Sequence, residues 1–284
     1  MSKTKVEIIY QDDDIIVINK PAGVSVTKDR TGQAQLKDIL PGHLTPAVCA
    51  QLRLVHRLDK DTSGVMLLAK NIEAQTKFTT YFEKREVKKT YLAIVTGFVS
   101  APQGTIDAPL TRDPRNTALM CIAKKKGKAA VTEWRLLADF GSVALLAVNP
   151  LTGRTHQIRV HLPSIALPLA IDPLYGSSRP IFLSDFKSDY RLGRNQIERP
   201  LIERLTLHAY QLVIPAQAGI QSVIPAEPVL SKVEGAGIQS CCFIAGLDKK
   251  FAACLKMLTK YNPKGLNAFL NPDDFSKILN GEKL

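Results

Sequence analysis

The sequence predicts an α+β domain built on a largely antiparallel sheet. Two observations carry this prediction. Short β-branched and apolar runs recur along the chain, at residues 6–10, 15–18, 88–95, 129–137 and 143–148, with turn residues between them. Few segments carry a helical stripe of apolar residues. Many strands interleaved with few helices favour an α+β architecture over a regular alternation of the two. A chain of 284 residues can bury a core as one large domain, or as one domain with a tail.

The first two runs read as a hairpin closed by Asp12-Asp13-Asp14. Nothing nearby completes a ligand set, so the acidic triplet is not read as a metal site. Asn19-Lys20-Pro21-Ala22-Gly23 then stops the strand, because Pro cannot extend a ladder and Gly suits a turn. Residues 27–51 are polar and carry no clear period. Asn71 opens a helix with Ala74, Phe78, Tyr81 and Phe82 at helical spacing, a stripe that reads as core. Residues 153–162 mix a turn with a short helix opened by Thr155, and 207–212 form a late strand.

Residues 213–240 stand apart. Val213-Ile214-Pro215-Ala216 recurs as Val223-Ile224-Pro225-Ala226, and Ala218-Gly219-Ile220-Gln221-Ser222 recurs as Ala236-Gly237-Ile238-Gln239-Ser240. Two copies are too few for a solenoid. The piece reads as an insertion, at about 215–240, into a hairpin loop, where added length is thermodynamically cheap. Residues 251–258 resume a helical pattern, and Asn271-Pro272-Asp273-Asp274 looks like a further helix start.

Composition bounds the partners. The chain has 38 Lys and Arg against 26 Asp and Glu, a formal net charge of +12, which favours polyphosphate partners. Aromatics make up 6% of residues, so a platform stacking many bases is not the expected mode. No apolar run has the roughly 18–20 residues that span a bilayer, and the first residues lack the apolar core of a signal peptide. Five cysteines without a CxxC pair read as reduced thiols of a cytoplasmic protein, with no metal site.

The run His56-Arg57-Leu58-Asp59-Lys60-Asp61-Thr62-Ser63-Gly64 sets one acid beside a cation and ahead of an apolar run. A carboxylate held near a cation stays ionised and can serve as nucleophile or base. Taken alone, Asp59 reads as a solvated or turn-capping residue. Asp59-Lys60-Asp61 also approaches a phosphatase-type Asp-x-Asp motif, but Thr62 stands one place early and the run lies far from the N-terminus.

The whole pattern resembles the RluA-type pseudouridine synthases. The resemblance rests on the His56–Gly64 run, on Lys89-Thr90-Tyr91, and on Thr152-Gly153-Arg154-Thr155-His156-Gln157-Ile158-Arg159-Val160-His161. The Asn-Lys-Pro-x-Gly turn, Leu207-His208-Ala209 and Asp172-Pro173-Leu174-Tyr175-Gly176 add to it, although Ala170-Ile171 stand where a Gly is more usual. It implies the pseudouridine synthase catalytic fold, a mixed, largely antiparallel sheet flanked by helices and loops. It also implies isomerisation of uridine to pseudouridine in ribosomal or transfer RNA, without metal or cofactor.

By this resemblance Asp59, Tyr91 and Arg159 are catalytic. Arg159 is the cation expected to pair with Asp59, with Arg154 as its competitor or as a phosphate contact. Arg57, Lys89, Arg154, His156 and Gln157 would bind substrate. The catalytic domain would run over residues 1–258 and include the insertion. Residues 259–284 would form an extension, and no room is left before residue 6 for an S4 RNA-binding module. The chain would act as a monomer with RNA as its partner and no membrane. The rival reading is a catalytically silent RNA-binding protein on the same fold.

Overall fold

The computed structural model describes residues 6–27, 35–40, 44–187, 189–193, 196–215, 218 and 240–284. The chain begins β1 (Glu7–Gln11), β2 (Ile15–Lys20), α1 (Leu36–Ile39), α2 (Pro46–Gln51), β3 (Arg53–Leu54), β4 (Ser63–Ala69) and α3 (Ile72–Glu83). It continues with β5 (Lys88–Thr96), β6 (Gln103–Asp107), β7 (Leu110–Arg112), β8 (Met120–Ile122), β9 (Val131–Asp139), β10 (Val143–Pro150) and α4 (Gln157–Ser164). The last elements are β11 (Leu207–Pro215), β12 (Ser240–Ile244), α5 (Lys249–Tyr261) and α6 (Asp273–Asn280). These elements form two compact units. One comprises Met1–Thr90, His208–Gly246 and Gly281–Lys283; the other comprises Tyr91–Leu207, Leu247–Asn280 and Leu284.

In the first unit the strand order is β1-β2-β4-β11, with β12 on β11 and β3 on β4. All pairs are antiparallel except β4 with β11, where Ser63 lies opposite His208 and Gly64 opposite Ala209. The mixed, mostly antiparallel α+β architecture expected from the sequence is therefore present. Ile15, Ile16, Val17 and Ile18 are all fully buried, as are Met66, Leu67 and Ala69. Strands covered on both faces read as unbroken apolar runs rather than as alternation. The hairpin turn is a side-chain device: Asp12 Oδ1 accepts the N–H groups of Asp14 at 2.9 Å and Ile15 at 2.7 Å.

Helix α3 starts where the sequence predicts, with Asn71 Oδ1 capping the Ala74 N–H at 2.7 Å. Ala74 and Phe78 carry its buried face, and Phe82 stacks on the His56 ring. Strands β11 and β12 pair in a register that ends at Pro215 opposite Ser240. Residues 216–239 fall between these two strands in the sequence. Of the expected insertion, residues 216, 217 and 219–239 lie outside the described residues.

In the second unit β5, β10, β9 and β6 lie side by side, all antiparallel, and β7 with β8 forms a separate ribbon. Ala93, Val95, Leu146, Val148, Leu162 and Leu169 belong to its core. Helix α4 begins one residue later than expected, after His156 in a left-handed conformation at φ 53° and ψ 21°. The turn before it is organised by Gln157 rather than by Thr155. The Gln157 side-chain oxygen accepts the Thr152 hydroxyl at 2.6 Å and the Arg154 N–H at 3.0 Å.

Of the residues expected as an extension, 259–280 pack within this unit. Helix α5 runs on through Tyr261, and the Asn262 side chain donates to the Phe140 carbonyl at 2.8 Å. Phe269 meets Phe140 edge to face at 5.8 Å, and the Leu270 N–H donates to the Leu137 carbonyl at 2.9 Å. Among the described residues no helix is long and apolar enough to cross a membrane, and no acidic, Cys and His side chains cluster as metal ligands.

Candidate active site

Arg57, Asp59 and Lys89 belong to the first unit; Tyr91, Arg154, His156, Gln157 and Arg159 belong to the second. In the first unit the Thr62 N–H donates to the Asp59 carbonyl at 3.2 Å, closing a turn directly ahead of β4. Asp59 is half-buried and Arg57 is exposed. Thr62 and Ser63, just behind Asp59, are buried.

Lys20 is the strongest hold on this turn. It is fully buried, and its ammonium donates to the carbonyls of Pro21, Val24 and Lys60, each at 2.9 Å. An ammonium has three donors, and here three backbone acceptors satisfy them. The chain after Asp59 is thereby tied to the Asn19–Gly23 turn. Burying an ammonium is costly unless it is well hydrogen-bonded, so the sequence alone shows Lys20 only as a turn residue.

Ser63 and Gly64 fix the other side of the turn. The Ser63 hydroxyl meets His208 Nδ1 at 2.8 Å. The Nε2 of His208 lies 3.0 Å from the Ala245 carbonyl. A carbonyl can only accept, so Nε2 carries the proton, and in the neutral ring Nδ1 accepts from Ser63. Gly64 has φ 117°, and a Cβ there would lie 2.0 Å from the Ala209 carbonyl oxygen. Only glycine allows this backbone angle and this approach of β11.

His56 is a support for β4. Its Nε2 accepts the Leu67 N–H at 3.0 Å, and its ring stacks on Phe82 at 4.4 Å. Burial, with help from the nearby Lys89 charge, holds its pKa well below the usual histidine range, so the ring stays neutral. Lys89 is itself pushed down to about 8, first by burial and then by the Arg85 charge.

In the second unit Tyr91 pairs with Val148 and packs partly buried against the apolar core. Arg154 is half-buried, with its Nε donating to the Ala129 carbonyl at 3.0 Å. Gln157 is buried and fully occupied. Besides the two bonds to its oxygen, its amide donates to the Val131 carbonyl at 2.9 Å and the Thr132 hydroxyl at 2.8 Å. All four of its hydrogen-bonding positions are used inside the protein. Gln157 thereby anchors α4 to β9. His161, also buried, joins the same network through Thr132 at 2.9 Å and Ala108 at 2.9 Å.

Arg159 is 2% exposed. Its Nε and Nη2 donate to Asp172 at 2.8 and 2.6 Å, a bidentate pair in which both side chains are buried. The Tyr175 ring lies 5.2 Å from the Arg159 guanidinium carbon. The Tyr175 hydroxyl accepts the Met120 N–H at 2.8 Å and meets His156 Nδ1 at 2.7 Å. His156 is thereby held to Tyr175 through Nδ1. The sequence marks Asp172 and Tyr175 only as parts of a turn. A carboxylate on a rigid turn and a guanidinium fixed in a buried network are groups suited to reacting with, or orienting, a polyanionic substrate.

Comparison with known proteins agrees with this chemistry. Residues 14–164 match the family model described as RNA pseudouridylate synthase. The chain is 42% identical over 209 residues to the ribosomal large subunit pseudouridine synthase D of Nitrosomonas europaea, covering 72% of this chain and 57% of that protein. It is 34% identical over 218 residues to the protein of the same name from Borreliella burgdorferi, covering 71% of this chain and 66% of the relative. The chain thus spans less than two thirds of the length of these curated relatives. The solved structure of human RNA pseudouridylate synthase domain containing 1 superposes with a TM-score of 0.60 at 26% identity, covering 91% of this chain and 96% of that one. The matched residues include the Asp59 turn, Lys89, Tyr91 and the Arg159 helix, and on this evidence the chain belongs to the RNA pseudouridylate synthase family.

Proposed function

We propose that this protein isomerises uridine to pseudouridine in RNA, with large-subunit ribosomal RNA as the substrate class. One observation carries the reading most: the Asp59 turn is fixed by a fully buried lysine on three carbonyls, while Asp59 itself is only half-buried. A reactive group needs a rigid support and access to its substrate. The names of the relatives support the choice of RNA.

The reaction breaks the N–C glycosidic bond, turns the base, and joins the same sugar carbon to a base carbon. Water does not enter the product. Asp59 acts on the ribose or in the accompanying proton transfer. Arg159 supplies fixed positive charge, and Tyr91 offers an aromatic face with a hydroxyl to the extracted base. Arg57, Lys89 and Arg154 supply charge toward phosphate. His156 and Gln157 act from beneath, by holding α4 and its turn. The five free cysteines fit a reducing compartment, the cytoplasm, and the chain is proposed to work as a monomer.

The test is to map pseudouridine in ribosomal and transfer RNA from cells with and without this protein. Loss of modification at one or a few uridines of large-subunit RNA supports the proposal. Identical maps in both RNA classes would overturn it.

A further inference from the structure

We propose that Asp172 and Tyr175 are positioning residues that hold Arg159 in one orientation for the reaction. The inference rests on the role given to Arg159 under the proposed function.

The geometry constrains the guanidinium in two directions. Asp172 grips its Nε and Nη2 edge at 2.8 and 2.6 Å, which stops rotation in the plane of the group. The guanidinium carbon sits over the Tyr175 ring, 5.2 Å from its centre, which limits its movement on that side. Because the fork is planar, the edge bearing Nη1 faces away from Asp172.

The clamp is itself held. Asp172 Oδ1 also accepts the N–H groups of Leu174 at 3.0 Å and Tyr175 at 3.2 Å. The turn is closed by Gly176 N–H on the Asp172 carbonyl at 2.9 Å and by Asp172 N–H on the Ser177 carbonyl at 2.7 Å. The Tyr175 hydroxyl is fixed by Met120 in β8 and by His156, the residue that opens α4. The clamp therefore ties into the helix that carries Arg159 and into the β7–β8 ribbon.

Stability alone does not account for this arrangement. A buried ion pair often adds no more stability than apolar residues of the same size. Two fully buried charges, each with further anchors, are better explained by a need to fix direction. A guanidinium paired with Asp172 in this way acts through the direction in which its charge and donors are held. Small displacements of such a group cost rate more than binding.

The test uses the purified full chain and large-subunit ribosomal RNA transcribed without modification. kcat and KM for pseudouridine formation are measured alongside the melting temperature. Asp172→Asn keeps shape and an acceptor but loses the charge. It should lower kcat by about 100-fold with KM within about threefold of wild type. Tyr175→Phe keeps the ring and the ion pair but loses the hydroxyl anchors, and should lower kcat by about tenfold at unchanged KM. If Asp172→Asn does not fold, Tyr175→Phe decides alone.

A kcat within threefold of wild type for the deciding variant overturns the inference. So does a matched loss in kcat and rise in KM with lowered melting temperature, the pattern of a purely structural role. Wild-type protein without activity on this RNA would count against the proposed function. Active wild type with fully active variants would count only against the clamp.

Discussion

The Asp59 turn and the Arg159 helix are both rigid, but by different means. The first is held mainly by contacts to backbone, the Lys20 ammonium on three carbonyls and the Gly64 backbone against the Ala209 carbonyl, beside the Ser63–His208 side-chain pair. The second is held by side chains on side chains, through Arg159–Asp172, Tyr175–His156 and Gln157–Thr132. Backbone contacts fix a turn while leaving its side chain half-exposed to act. Side-chain networks fix the functional group itself, and burial makes them intolerant of losing one member.

This contrast predicts graded effects. The largest belongs to the second region. Arg159→Met would strand the Asp172 carboxylate in the core and should destabilise the protein by about 3–5 kcal/mol in urea unfolding. A loss under about 1 kcal/mol would show that the pair is not buried as described. Gly64→Ala should come next, at about 2–4 kcal/mol, because it combines a strained backbone angle with a blocked strand contact. Unchanged stability there would mean that β11 can withdraw from β4 without loss.

Ser63→Ala should cost about 1–2 kcal/mol, leaving the buried His208 Nδ1 without its donor. The smallest effect concerns pH. Lys89 has a pKa lowered to about 8, so it loses its charge as pH rises through that value, while an ordinary lysine keeps it to about 10.4. RNA affinity should therefore weaken modestly between about pH 7 and 9, and Lys89→Arg should flatten that change. The same weakening in Lys89→Arg would assign it to another group.

Much of the fold was legible because its signals are local. The β1–β2 hairpin, the Asn71 cap of α3 and the buried run of β4 follow from residue pattern within a few positions. The short strands β6 to β8 carry too few residues for a period to show. The start of α4 was misplaced because no side chain caps it: His156 turns the chain in a left-handed conformation, and the Gln157 oxygen holds the preceding turn instead. In the site, the motifs marked Asp59 and Arg159, but not what holds them. Lys20 is bound to a carbonyl 40 positions on, and Arg159 to a carboxylate 13 positions on. Neither separation leaves a mark in a single sequence. The burial of Gln157 and its four internal bonds are likewise invisible in the motif that carries it.

The central claim is that Asp59, on its locked turn, performs the chemistry. It is tested most directly by Asp59→Asn in the purified full chain, assayed for pseudouridine formation and for RNA binding. Because the change keeps shape and removes the charge, the rate should fall on the order of 1000-fold or more, with binding within about threefold of wild type. A folded Asp59→Asn protein that turns over within about tenfold of the wild-type rate would contradict the claim.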